Sequence, residues 1–293
     1  MTGTAETPQT QSSVDTLMES TLKDIGIPPR PAILERISSE MLRDDPDYKR
    51  LATIIGADVS LSAGLIKTAN SPFFGYRIRA RTINEALMLL GLDVASRALA
   101  GIILRRVFPN SLHLERFWDA SARIARVSGW LARRVGNHKL RPDDAYTFGL
   151  FRDCGIPVLM MRFPEYRGIL ARANSEEKLG FTAIEEAQLP TNHAIVGCML
   201  AHSWWLPEEI YLAIRYHHDP AVIATPSITP PLTSRYRIAI SQFAEHLVQR
   251  HTGLGHTREW PKLGEACLKL LDIAEDDIED ILAEAVPVIT AEE

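Results

Sequence analysis

From Pro28 onward, apolar residues recur along the chain at intervals of three and four, the spacing of one face of an α-helix. Ala32, Ile33, Leu34, Ile37 and Met41 form a first stripe, introduced by Pro28, Pro29 and Pro31. Leu51, Ile54 and Ile55 form a second, and Leu61, Leu65, Ile66 and Ala69 a third that stops at Asn70-Ser71-Pro72. Thr82-Ile83-Asn84-Glu85 has the order of a capping box, a hydroxyl followed three residues later by a carboxylate. It opens a helix through Leu90 that Gly91 should stop, with Asp93 capping the next as far as Phe108. Leu114 to Val135 predicts one long helix with Phe117, Trp118, Ser121, Ile124, Ala125 and Leu131 facing inward. A further helix is expected from Asp143 or Asp144 to Phe163, kinked or interrupted at Pro157. Others run from Asn192 to Trp205, from Pro207 to His218 and from Leu232 to His251, the last two separated by the proline-rich loop Thr225–Pro231. Gly253-Leu254-Gly255 ends that series, and Trp260 onward gives one or two short helices. No alternating pattern of useful length marks a strand, so the fold class expected is all-α.

Composition narrows the class. The 293 residues, 46% hydrophobic and 24% charged, are those of a soluble globular protein, and no run of 18 apolar residues suggests a membrane span. The net charge of -5 argues for neither nucleic acid nor lipid, but its distribution is uneven. Residues 51–150 hold 14 Lys/Arg against 7 Asp/Glu, whereas 251–293 hold 3 against 11. This is either solvated surface plus an acidic terminal helix, or two ends that attract each other or opposite partners. Cys154, Cys198 and Cys267 are few, odd in number and far apart, which fits a reducing, cytoplasmic setting. The polar stretch 1–13 reads as a disordered tail and not as a secretory signal.

The candidate chemistry is histidine and carboxylate. His193, His202, His217 and His218 fall within 26 residues, with Asp153, Glu208, Glu209, Asp219 and Glu245 as acidic neighbours in sequence. Imidazole with carboxylate suits a transition metal; ordinary hydrogen-bonded histidines are the plainer reading, because no compact ligand motif is present. On a helix, His217 and His218 would point about 100° apart, leaving one of them exposed or at the helix end. Nucleophile elbow, P-loop and dinucleotide fingerprint are all missing. Arg77, Arg79 and Arg81 alternate along one stretch, and Arg123, Arg126, Arg133 and Arg134 are placed on the polar side of the long helix. They could serve an anion or a protein partner; duplex nucleic acid is the least expected.

Four segments together resemble the HDOD family, bacterial signalling domains related to HD and HD-GYP metal phosphohydrolases. They are Ile27-Pro28-Pro29-Arg30-Pro31; Ala69-Asn70-Ser71-Pro72-Phe73-Phe74-Gly75 with Thr82–Ala86 and Leu90-Gly91; Phe117-Trp118 with Gly149-Leu150-Phe151-Arg152-Asp153-Cys154-Gly155 and Phe163-Pro164-Glu165; and Asn192-His193-Ala194 with Trp205–Ile210 and Ala213–Pro220. The resemblance runs over about residues 25–250. Position by position, it puts Ala120 and Arg152 where active relatives carry metal histidines, leaving Asp153, with His193, His217 or His218, and Glu245 as counterparts of other ligands. A guanidinium has no lone pair to offer a metal and keeps its proton. The resemblance therefore implies a non-catalytic regulatory module with a vestigial site at Arg152, Asp153, His193, His217, His218 and Glu245, no cofactor and no expected metal. Its partners would be signalling proteins, and a cyclic dinucleotide is the small ligand it allows. It also implies an HD-like helical bundle at 111–250 preceded by a smaller helical subdomain at 14–110 and followed by an acidic helical segment at 251–293. Two alternatives stay open: a divergent metal-dependent phosphohydrolase using Asp153, His193, His217, His218 and Glu245, and a nucleotide or nucleic-acid binder using its arginines.

Overall fold

The computed structural model describes residues 25–71, 73–108, 112–137, 139–225 and 230–291. The expected tail over 1–13, Pro72 of the turn and residues 226–229 of the proline-rich loop lie outside them. All regular structure among the described residues is helical. The N-terminal helices are α1 (Ala32–Met41), α2 (Tyr48–Gly56), α3 (Val59–Ala69) and α4 (Ile83–Val107). Then come α5 (Leu112–Val135), α6 (Pro142–Phe151), α7 (Gly155–Arg162), α8 (Tyr166–Ser175), α9 (Phe181–Glu186), α10 (His193–Ser203), α11 (Glu208–Tyr216), α12 (Pro220–Ala224) and α13 (Leu232–Thr252). The chain closes with α14 (Trp260–Leu271), a 3₁₀ turn (Glu275–Asp277) and α15 (Ile278–Thr290).

Local chemistry explains most boundaries. Asp47 and Asp58 cap α2 and α3 by accepting two backbone N–H groups each. The Thr82/Glu85 capping box forms in both directions. Gly91, at φ +72° and ψ 161°, leaves helical geometry, so the helix opened by Thr82 breaks there as expected, and α4 is two helical segments joined across a kink. The helix expected from 143 to 163 is two helices, and the break comes at residues 152–154, before Pro157. Pro157 sits in the first turn of α7, where a missing N–H costs nothing. Arg141 holds the N-cap position of α6, with Asp143 and Asp144 in its first turn.

Helix α4 is long and apolar enough to cross a membrane by length and composition, yet Ala86, Leu87, Ala95, Leu99 and Leu104 are buried against neighbouring helices. It serves as the core helix that joins the N-terminal helices to α6. The Asn70–Gly75 turn fastens the same junction. Asn70 donates to the carbonyl of Ala80 and accepts from its N–H, both at 2.8 Å. Phe73 enters a hole over Gly129 of α5, where a Cβ would lie 2.1 Å from its ring, and stacks on Tyr146 with centroids 4.9 Å apart. The acidic C-terminal helix packs on the basic long one: Arg134 pairs with Glu284 at 2.7 Å, and Arg250 of α13 pairs with Glu279 at 2.5 Å.

Candidate functional site

Three helix ends meet in the C-terminal half. Asp153 occupies the turn between α6 and α7; His193 is the first residue of α10, whose Asn192 cap accepts the N–H of Ile195. His217 and His218 follow the last turn of α11, just before Asp219 and Pro220 open α12. Close helix contact brings the ends together. At Gly155 a Cβ would sit 2.1 Å from the carbonyl oxygen of His193 and 2.7 Å from the nitrogen of Gly197, so α7 and α10 touch backbone to backbone. Four donor atoms converge as a result. His193 Nε2 lies 3.3 Å from His217 Nε2 and 3.1 Å from His218 Nε2, while Asp153 Oδ1 lies 3.2 Å from His217 Nε2 and 3.7 Å from His193 Nε2. All four lie within 4.8 Å of one another.

The outer side of each ring fixes this arrangement. His217 Nδ1 is 2.7 Å from the carbonyl of Ile214, His218 Nδ1 2.6 Å from Glu259 Oε2, and His193 Nδ1 2.8 and 2.9 Å from the two oxygens of Glu185. These partners only accept, so each Nδ1 donates and each neutral ring turns an Nε2 lone pair inward. Tyr166 donates to Glu185 in turn, and Phe181 stacks on His218 with centroids 4.5 Å apart. Three lone pairs about 3 Å apart repel unless a positive charge lies among them. One proton can supply it. Burial pushes His218 down to about 3 and lowers His217 as well, whereas Glu185 outweighs burial at His193 and raises it. Of the three rings, His193 is thus the one most ready to take up a proton. A metal ion can supply it too. Bonds of about 2.0–2.1 Å in a tetrahedron place ligand atoms about 3.3 Å apart, close to the separations found, so the donor set fits a zinc-like ion.

Arg152 forms the neighbouring wall. Its guanidinium is 4% exposed; Nε donates to Asp153 Oδ2 at 2.9 Å and Nη2 to Glu245 Oε1 at 2.7 Å. Burial disfavours its charge, but the two carboxylates outweigh burial and hold it protonated. Asp153 is likewise held well below the usual carboxylate range, by Arg152 and then His217, against the effect of burial.

A family model for the HDOD domain matches residues 27–220. This chain belongs to the HDOD family. A Treponema pallidum (strain Nichols) protein of uncharacterized function is 28% identical over 194 residues, 66% of this chain and 38% of that relative's length. The HDOD domain protein of unknown function from Geobacter sulfurreducens shares 26% identity and superposes with a TM-score of 0.64, covering 94% of this chain and 96% of that one. At lower identity the fold alone is shared. A candidate phosphohydrolase from Shewanella amazonensis SB2B has 19% identity and a TM-score of 0.66 over 92% of this chain and 94% of its own. A candidate signal transduction protein from Marinobacter aquaeolei VT8 has 20% identity and a TM-score of 0.57 over 96% and 66%.

Several residue assignments change once the HDOD fold is in view. His217 and His218 both face the centre, because they lie beyond the last helical turn and the 100° rule does not apply to them. Ala120 is exposed on α5, so an imidazole there would point to solvent; the face of α5 that meets α6 carries Ala125 and Ser128. The count of too few metal donors followed sequence order, whereas the fold gathers four. Glu245 is not among them, since Arg152 holds it aside. His202 stands apart, with its ring against Tyr211. The arginines differ in exposure. Arg77, Arg79 and Arg81 are exposed, Arg123 is half-buried, and Arg126 is buried with Nη2 on the carbonyl of Ala291. Glu185 and Glu259, which orient two of the three rings, were missed. Their sequence surroundings carry no motif, and Glu259 lies outside the family match.

Proposed function

We propose that this HDOD protein is a non-catalytic signal-transduction module that works in the cytoplasm through contacts with other signalling proteins. One observation carries the reading: the buried Arg152 guanidinium spans Asp153 and Glu245. It takes Glu245 and one oxygen of Asp153 out of reach of a metal and sets a fixed positive charge beside the place where a dication would stand. A unit charge about 4 Å from a dication costs several kcal/mol even at an effective dielectric of about 20. The four remaining donors, Asp153, His193, His217 and His218, would hold an ion as a closed set of protein ligands, and what the ion supplies there is cross-linking of three helix ends. A catalytic centre keeps a position open for water or substrate; with all four donors engaged, a four-coordinate ion here would have none.

A second reading is favoured by the convergence of those same donors: a divergent metal-dependent phosphohydrolase. Metal analysis of the purified chain, with a phosphodiester hydrolysis assay in added Mn²⁺, separates the two. The expected result is no turnover, whether or not an ion is bound. Turnover that disappears in Asp153→Ala would overturn the proposal.

A further inference from the structure

Far from the histidine centre, a cavity of about 530 Å³ opens where the N-terminal helices meet α5 and α6. Its size falls within the range of about 300–1,000 Å³ typical of small-molecule sites. Its floor is apolar and closely built, from Gly64, Gly101 and Leu150 among others. Among the described residues its charged lining is Lys67, Arg79, Arg105 and Arg126. Lys67 and Arg79 are exposed and make no ion pair among the described residues. Arg105 has only a 3.5 Å contact with the exposed Asp119. Trp118 and Tyr146 add flat aromatic surface to the wall. The two hydrogen bonds from Asn70 to Ala80 lock the backbone beside Arg79 and so hold that guanidinium at the rim.

An apolar, partly aromatic floor with two cations at its edge, Lys67 and Arg79, that make no ion pair among the described residues suits a ligand with a flat body and a phosphate. Like charges around one concavity repel, and an anion relieves that repulsion while the cleft concentrates it. We propose that this cavity binds a nucleotide, its phosphate between Lys67 and Arg79 and its base against the apolar floor. Because α3 and α4 form one wall and α5 and α6 the other, the ligand clamps the N-terminal helices onto the rest of the molecule. The site is independent of the histidine centre and of whether that centre is catalytic.

Calorimetric titration of the full chain with GMP, AMP and cyclic di-GMP, beside inorganic phosphate and guanosine, tests this at low and high salt. At least one nucleotide is expected to bind more tightly than either control and to lose about tenfold in affinity at high salt. Lys67→Glu with Arg79→Glu should weaken binding about tenfold or more, while Arg81→Glu, in the same loop but outside the cavity, should leave it unchanged. Both changes are at exposed positions, so unchanged circular dichroism is expected to accompany the loss. Silence from all three nucleotides at millimolar concentration, phosphate binding as tightly as they do, or full affinity in the double variant would overturn the assignment.

Discussion

Two aspartates nine residues apart, Asp144 buried and Asp153 half-buried, meet opposite fates. Asp144, in the first turn of α6, has one oxygen on Arg97 of α4 at 2.7 Å and the other on Arg237 of α13 at 2.5 Å. Asp153, just past the other end of α6, has one oxygen on Arg152 and turns the second toward imidazoles. Guanidiniums carry hydrogens on every nitrogen and only donate, so the Asp144 cluster surrounds a carboxylate with donors and turns no nitrogen lone pair toward an ion. Imidazoles accept as well as donate, so the Asp153 cluster keeps inward lone pairs and the capacity to take up a proton or a metal. The same acid on the same helix is a tie between helices at one end and a latent binding centre at the other.

The largest test of that contrast is Asp144→Ala. It strands the buried Arg237 guanidinium and leaves Arg97 only its 3.2 Å pair with Asp143, and should cost about 3–5 kcal/mol in urea denaturation. Asp153→Ala leaves Arg152 still paired with Glu245 and should cost only about 1–3 kcal/mol; a larger loss there than at Asp144 would erase the distinction. Arg152→Met comes next. It leaves Asp153 and Glu245 as neighbouring buried carboxylates and should also destabilise by about 3 kcal/mol. Millimolar Zn²⁺ should restore part of that loss in Arg152→Met and none in the double variant with His193→Ala, as read by thermal denaturation. Equal restoration in both would remove the metal-holding role from the imidazoles. A smaller effect is expected at Gly155→Ala, about 1–3 kcal/mol, as the new methyl drives α7 away from the carbonyl of His193. Unlike a loss at Asp144, it should also weaken any metal bound by the centre.

The smallest effect is in pH. Burial, then Arg250, depresses His246 to about 4, below its ordinary 6.5. Unfolding therefore takes up a proton between those values, and stability falls as pH drops through that window. Glu259 acts at lower pH. His218 and Lys262 outweigh burial and hold it at about 2, so the stability it contributes is present above its ordinary 4.5 and is lost as pH falls toward 2. His246→Gln should flatten the first portion of an acid titration of stability and leave the second, and a profile identical to the parent's would contradict the assignment to His246.

Much of this was legible in the chain. Periodicity and caps placed the helices because both are local: Thr82 and Glu85 meet across one turn, and Asn192 reaches only to Ile195. The motif around Arg152-Asp153 pointed to the site because it sets a cation beside the carboxylate that joins the imidazoles. The errors came where a rule for regular helix was applied past its end, at His217-His218, or where a resemblance stood in for orientation, at Ala120.

The sequence by itself determined the all-α class, the family and the presence of a cation next to Asp153, since each depends on residue type and short-range spacing. Only the tertiary structure decided that three imidazoles face one another, that Glu185 and Glu259 set their tautomers and that Lys67 and Arg79 share a cavity. Those relations join residues eight to more than forty positions apart, and the direction of a lone pair is fixed by the packing of several helix ends together.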